Sequence, residues 1–425
     1  MEITTITNLD ELIAKFDRVR QQTEDLVAPL TPEDTVAQPV IEVSPPKWHM
    51  GHTTWFWEEF ILSPYQPGYQ RYHPRYAYLF NSYYEGAGER INRAYRGNMT
   101  RPTKQEILAY RQYVSEAMRA FLHNPPQPLS ARERYILEVG LNHEQQHQEL
   151  LLYDLKYILG HNPLFPAYLD AGYEAAPPGA ADSAGYLEIE AGVYEVGYQG
   201  EGFHFDNETG RHRVFLEGYR LMDRLVTTGE FLAFVEAGGY QDYRHWLEEG
   251  WRWVETNQVD TPFYWFQVGG EWHQFTHHGL RPLDSNAPMT HVNYYEAQAF
   301  AKWKGMRLPT EHEWEVACQH VAPEIPAHAN FMESGHYRPL PRQAGDYQFW
   351  GDAWEWTQSA YLPYPHYQAE EGTLGEYNGK FMVNQMVLRG GSCATPRDHI
   401  RATYRNFFHP HMQWLFSGFR LAAHT

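Results

Sequence analysis

Residues 141–155 read LNHEQQHQELLLYDL, in which His143, Glu144 and His147 are spaced as H-E-x-x-H. On a helix, residues four apart lie on one face, so both imidazoles can reach one metal ion. The same spelling is the signature of zinc proteases, where the glutamate is the general base. Proteolysis needs a further ligand at a defined place. The metzincin extension x-x-G-x-x-H meets Leu150 and Tyr153 where it wants the glycine and the third histidine. The other large class takes a glutamate from the next helix, and here the chain has run into GHNPLFPAYLD. A polar helix stripe is a poor account of Gln145, Gln146 and Gln148 beside two histidines, so metal binding without proteolysis is expected. The segment KWHMGHTTWFWEEF, residues 47–60, offers His49 and His52 as a third ligand from a facing helix, which is how bundles build metal sites. Three neutral imidazoles with open positions suit Zn(II), Fe(II) or Cu(II), and the spacing does not choose among them.

The elements that must position these groups are helical in the first half. Apolar periodicity predicts helices over 9–30, 47–62, 103–122 and 130–159. Thr103 with Glu106 and Ser130 with Glu133 stand in capping-box register, and Gly160 is expected to end the last helix. A long non-helical segment, 63–102, joins the second helix to the third, and such a loop is usually functional. PAYLDAGYEAAPPGAADSAGY, residues 166–186, reads as a linker. After it YLEIEAGVYEVGY alternates like strands around a turn, and the remainder reads as short strands with helices over 227–239 and 294–305. The expected fold class is α+β in two domains: a four-helix bundle over 1–165 and a second domain over 187–425.

Composition narrows the partners. The chain has 425 residues and a formal charge of -19, from 34 basic and 53 acidic side chains, which argues against nonspecific nucleic-acid binding. Two cysteines cannot make a disulfide framework. The N-terminal MEITTITNLDELIAKFDRVR has no apolar leader core and no run approaches membrane-span length, so a cytoplasmic protein with no membrane partner is expected. Aromatics are 16% of the residues; the two readings are a loop-rich core held by large rings and a cation held on aromatic faces.

Both halves match known patterns. THVNYYEAQAFAKWKGMRLPTEHEWEVA, GDAWEWTQSAY, VLRGGSCATPRDHIRATYRNFF and SGFRLA resemble the formylglycine-generating-enzyme (sulfatase-modifying factor) domain, a variant of the C-type-lectin fold. KWHMGHTTWFWEEF and NHEQQHQELL resemble the DinB-like bundle with its metal-binding histidines. In this order the pair resembles the ergothioneine-biosynthesis sulfoxide synthases, non-haem iron enzymes that join a sulfur donor to the imidazole of hercynine with O2. The resemblance implies Fe(II) on His52, His143 and His147, and Gln146 beside the bound imidazole. It places tyrosines of the long loop, Tyr83 and Tyr84, at the iron site. An Arg-x-x-Arg pair would hold the carboxylate of the sulfur donor; the pattern occurs twice, as Arg90 with Arg93 and as Arg93 with Arg96, and the first looks the closer match. Asn406 in YRNFF would help hold the trimethylammonium group of hercynine, with Phe407 and Phe408 alongside.

Two departures refine this expectation. Relatives that use gamma-glutamylcysteine have R-N-W-D where this chain has Arg405, Asn406, Phe407 and Phe408, which favours L-cysteine. Only Cys393 lies where formylglycine generation needs a copper-binding cysteine pair, so the second domain is expected to be a scaffold. The expected partners are hercynine, L-cysteine and O2. The alternatives are the dipeptide as donor, a selenium donor, the same chemistry on histidine as in ovothiol formation, a zinc hydrolase, and a non-catalytic ligand-binding metalloprotein. Because the ovothiol relatives often carry a fused methyltransferase and this sequence stops at SGFRLAAHT, hercynine is expected over histidine.

Overall fold

The chain is described by a computed structural model covering residues 8–169, 172, 173, 183–370 and 372–425. Four long helices realise the apolar periodicity: α1 (Leu9–Val27), α2 (Pro46–Trp57), α3 (Lys104–His123) and α4 (Ala131–Gly160). Each begins on a recognisable device. Asn8 accepts from the Asp10 N–H, Pro46 opens α2, and Thr103 and Ser130 form reciprocal capping boxes with Glu106 and Glu133. α2 does not end at Trp57: Glu58–Leu62 widens into a π-turn and Ser63–Tyr65 adds a last α-turn. Segment 63–102, expected to be irregular, also carries a helix at Tyr76–Phe80 and 3₁₀ turns at Glu85–Ala87 and Arg93–Asn98. These turns are too short for periodicity to reveal, and side chains hold them. Buried Glu58 accepts from the Tyr69 hydroxyl, the Tyr72 N–H and the Tyr110 hydroxyl.

The helices are tied together by one buried charge cluster. Glu144 of α4 accepts from Arg20 and Thr23 of α1, Trp57 Nε1 of α2 and Arg111 of α3. Burial alone would raise the Glu144 carboxyl pKa, but Arg20 and Arg111 reverse this and hold it at about 2. Two glycines permit the close helix contacts around it. A Cβ on Gly51 would lie 2.3 Å from the Phe80 ring, and one on Gly140 would lie 2.6 Å from the Trp57 ring.

The chain separates into two units, the first comprising Met1–His161 with Gln199–His204 and Ala369–Tyr377, the second the rest. The second unit is built of four small sheets, with strand orders β1-β4-β12, β10-β9-β8-β11, β2-β3 and β5-β6-β7. Its strands are β1 (Tyr186–Ile189), β2 (Gly192–Val196), β3 (His212–Leu216), β4 (Tyr219–Met222), β5 (Trp265–Val268), β6 (Glu271–Thr276), β7 (Gly279–Pro282), β8 (Trp354–Ala360), β9 (Met386–Arg389), β10 (Asn406–Phe408), β11 (Ser417–Gly418) and β12 (Ala422–His424). The alternating stretch after the linker does give two strands, but β1 pairs with β4 and β2 with β3, so they belong to different sheets. Four helices accompany the sheets, where sequence reading found only α5 (Thr228–Glu236) and α7 (Tyr294–Trp303). The other two are α6 (Glu248–Asn257) and α8 (Glu311–Val321). α8 is capped by a Thr310–Glu313 box, and its buried residues mix Glu311, Glu313 and Glu315 with Trp314, Val316, Ala317 and Cys318, which blurs its period. Glu311 pairs with Arg405 and Glu315 with Arg389, and Glu355 of β8 pairs with Arg420. Trp314, Trp354 and Trp356 are buried among these pairs, so this core is large rings and neutralised charges. Of the expected linker 166–186, residues 170, 171 and 174–182 lie outside the described residues; Tyr168 and Leu169 donate backbone N–H groups to His277 O, and β1 already starts at Tyr186. No helix among the described residues is long and apolar enough to cross a membrane.

Replacing Glu144 by glutamine strands two buried guanidinium groups and is expected to cost about 3–5 kcal/mol, read as a lowered urea midpoint by circular dichroism. An unchanged midpoint would mean that the carboxylate charge is not what holds α1, α3 and α4 together. For Gly51→Ala, overpacking against Phe80 costs about 1–3 kcal/mol and outweighs the gain in helix propensity of about 1 kcal/mol. A net fall in thermal midpoint is therefore expected.

Candidate metal centre

His143 and His147 project from one face of α4, and His52 faces them from α2. One nitrogen from each lies within 4.8 Å of the other two. His52 Nε2 and His143 Nε2 stand 3.0 Å apart. That spacing matches two nitrogens sharing one cation at about 2.1 Å each. Tautomers support this. His52 Nδ1 is 2.6 Å from the Phe80 carbonyl and must donate to it, so its Nε2 is a lone pair aimed at His143. Burial pushes the pKa of all three imidazoles down, His143 to about 3, which leaves them neutral and ready to ligate. The donor set thus fits a divalent transition metal held by nitrogen alone.

Glu144 takes no part. One residue on from His143, it points into the Arg20–Arg111 cluster and has no freedom to act as a base over the imidazoles. The H-E-x-x-H spelling here combines two metal-facing histidines with a structural glutamate. His49, the other candidate from the same segment, bonds to His147 through Nδ1 at 2.9 Å and to Asp154 through Nε2 at 2.9 Å.

Aromatic rings enclose the group. Trp48 stacks on His52 with centroids 4.6 Å apart, Trp55 stacks on the same imidazole at 5.6 Å, and Phe56 lies 4.8 Å from His143. Tyr84 is fully buried against Trp55 and Phe60, with Tyr83 4.7 Å away. Its hydroxyl interacts with that of Tyr83. Burial, chiefly, raises both phenol pKa values well above 10. Asn81 clasps this loop, accepting from the Tyr84 N–H and donating to the Tyr84 and Gly88 carbonyls.

The three arginines separate clearly. Arg90 pairs with Glu85, and Arg93 donates to the Ile41 and Glu42 carbonyls. Arg96 is buried, donates to Ser44 Oγ, and lies 3.4 Å over the Trp48 ring that stacks on His52. Its Nε has no partner among the described residues. Gln146 sits half-buried on α4 between the two histidines. In the second unit, Asn406, Phe407 and Phe408 form β10; Phe407 stacks on Tyr361 at 4.1 Å and Phe408 meets Trp414 edge-on at 5.5 Å.

Sequence reading missed Tyr377 and Glu376. The Tyr377 ring lies 6.0 Å from His143 and 6.2 Å from Tyr83, while Glu376 accepts from the N–H groups of Glu85 and Gly86, just beyond the tyrosines. Nearly three hundred residues separate them from that loop, and no local pattern marks them.

Residues 15–151 match the profile of the DinB superfamily, and residues 174–425 match that of the sulfatase-modifying factor enzyme 1-like domain. A hercynine oxygenase of Mycolicibacterium thermoresistibile is 33% identical over 309 residues, covering 66% of this chain and 67% of that protein. One from Mycobacterium tuberculosis is 31% identical over 311 residues, covering 68% and 72%. A formylglycine-generating enzyme of Streptomyces coelicolor is 28% identical over 263 residues, covering 51% and 82%. With the two domains in this order and relatives of this closeness, the chain belongs to the hercynine oxygenase family.

Proposed function

We propose that the chain is a non-haem Fe(II), O2-dependent sulfoxide synthase that couples L-cysteine to the imidazole of hercynine, giving hercynylcysteine sulfoxide in ergothioneine biosynthesis. The observation that carries this reading is an all-imidazole donor set, His52, His143 and His147, in a member of the hercynine oxygenase family. The reaction balances with O2 alone: the imidazole C–H and the cysteine S–H are lost, a C–S bond forms, one oxygen atom goes to sulfur and the other leaves as water. Fe(II), when bound, supplies O2 activation and coordination of the thiolate.

The residues of the chain account for the rest. Tyr84, buried and protonated across the physiological range, holds its proton at Oη for delivery when O2 is reduced. Tyr83 stands beside it, and Asn81 and Glu376 fix the loop that carries both. Arg96 is a buried cation with an open edge, and burial and Arg93 both press its pKa down, so an incoming carboxylate would relieve it. It is the arginine we assign to the carboxylate of the sulfur donor. Phe408 offers an aromatic edge to Trp414 and no charge, which supports free cysteine over gamma-glutamylcysteine. Zinc-assisted hydrolysis is disfavoured because Glu144 is held by Arg20 and Arg111. Formylglycine generation is disfavoured because that activity needs a cysteine pair and only Cys393 lies in the corresponding segment, while Cys318 is buried and burial raises its pKa.

Protein loaded anaerobically with Fe(II), then given air, hercynine and cysteine, is expected to consume O2 and release the coupled sulfoxide, identified by mass spectrometry. Product only with gamma-glutamylcysteine would remove the donor assignment; no product with any donor would remove the reaction. For Tyr84→Phe, coupled product is expected to fall by about 100-fold or more, with oxygen uptake diverted to cysteine sulfinic acid. Retention of full coupling would take the proton-donor role from Tyr84.

A further inference from the structure

His49 is not needed as a ligand, yet it is buried with both ring nitrogens engaged beside the metal centre. Asp154 Oδ2 accepts from the Ser44 backbone N–H at 2.7 Å and lies 2.9 Å from His49 Nε2. A carboxylate oxygen only accepts, so His49 Nε2 carries the hydrogen. In a neutral imidazole the other nitrogen is then an acceptor, and His49 Nδ1 lies 2.9 Å from His147 Nδ1. His147 Nδ1 must therefore donate, which leaves its Nε2 as the lone pair available to a metal. The direction of every hydrogen bond in this chain is set at one end, by Asp154.

We propose that Asp154 and His49 form a tautomer relay that fixes His147 as an Nε2 metal ligand, doing through two residues what the Phe80 carbonyl does directly for His52. The reversed relay, with His49 donating from Nδ1, would place the His147 hydrogen on Nε2 and remove it from the donor set. Helix geometry explains why the relay can be short. His49 lies three residues, about one turn, before His52 on α2, and Asp154 lies seven residues, about two turns, after His147 on α4, so each follows the same helix face as the ligand. Of the three imidazoles only His143 has an Nδ1 without a partner among the described residues. Two of the three ligands are thus pre-set by the protein before any metal arrives. Asp154 and His49 are positioning residues: they act on the metal through His147. The inference rests on the reading that the three imidazoles hold a divalent metal.

The test is metal affinity, measured by chelator competition with Fe(II) under anaerobic conditions and with Co(II), on the full chain. Wild-type protein that takes up neither metal would sink the metal-centre reading itself. Given wild-type binding, His49→Leu and Asp154→Leu are each expected to weaken affinity about 10- to 100-fold, with altered Co(II) visible bands. His49→Asn, whose Oδ1 stands where Nδ1 was and still accepts, is expected to recover most of it, as is Asp154→Asn, whose amide oxygen still accepts from His49. Wild-type affinity in both leucine variants would overturn the relay, and so would equal losses in the asparagine and leucine variants. If the leucine variants do not fold, nitrogen-15 imidazole spectra of the metal-free wild type decide: His49 protonated on Nε2 and His147 on Nδ1 supports the relay, and the reverse pair overturns it.

Discussion

The Glu144 carboxylate, gripped by Arg20 and Arg111, is the interaction on which the bundle depends. It draws α1 and α3 onto α4, takes the Trp57 indole from α2, and does so one residue from a metal-facing histidine. A helix carrying His143 and His147 must be held in rotation as well as in place, since a turn of one residue would swing both imidazoles away. Glu144 supplies that rotational lock, because it points about 100° round the helix from His143. The charges are costly to bury, and they are tolerable because each of the two guanidinium groups meets the same carboxylate together with hydroxyl or carbonyl partners. The glutamate that would be the base in a protease is here the anchor of the scaffold.

Around that anchor the site is lined by aromatic rings. Rings of Trp48, Trp55 and Phe56 surround the imidazoles, carbonyl and carboxylate groups choose their tautomers, and Arg96 waits over Trp48 as a buried cation. A low-polarity enclosure strengthens each remaining charge interaction, which is the physical basis of the role proposed for Arg96. The aromatic richness visible in composition appears here as packed rings, with the protein's own Arg96 over Trp48.

Much of this was legible in the sequence. The spacing of His143 and His147 pointed to the metal-facing group, KWHMGHTTWFWEEF offered His49 and His52 alike with only the family resemblance choosing His52, and the Thr103 and Ser130 boxes marked where α3 and α4 start. The His143–His147 pair and the two capping boxes are local signals, carried by residues within one or two turns of each other. What was not legible is what folding brings from afar: Arg20 and Arg111 onto Glu144, Tyr377 onto His143, Glu376 under the tyrosine loop. The three arginines looked alike in sequence, and only burial separates Arg96 from Arg90 and Arg93. α8, with glutamates among its buried residues, and the split of β1 from β2 escaped for the same reason, since their partners lie in distant strands.

The central claim is that a metal here is bound by three imidazoles and by no carboxylate of the chain. X-ray absorption at the iron edge of Fe(II)-loaded protein tests it most directly. The account predicts a signature of three imidazoles, reduced by one in each of His52→Ala, His143→Ala and His147→Ala and unaltered in Glu144→Gln. A carboxylate in the coordination sphere, or a signal unaffected by loss of His52, would contradict it.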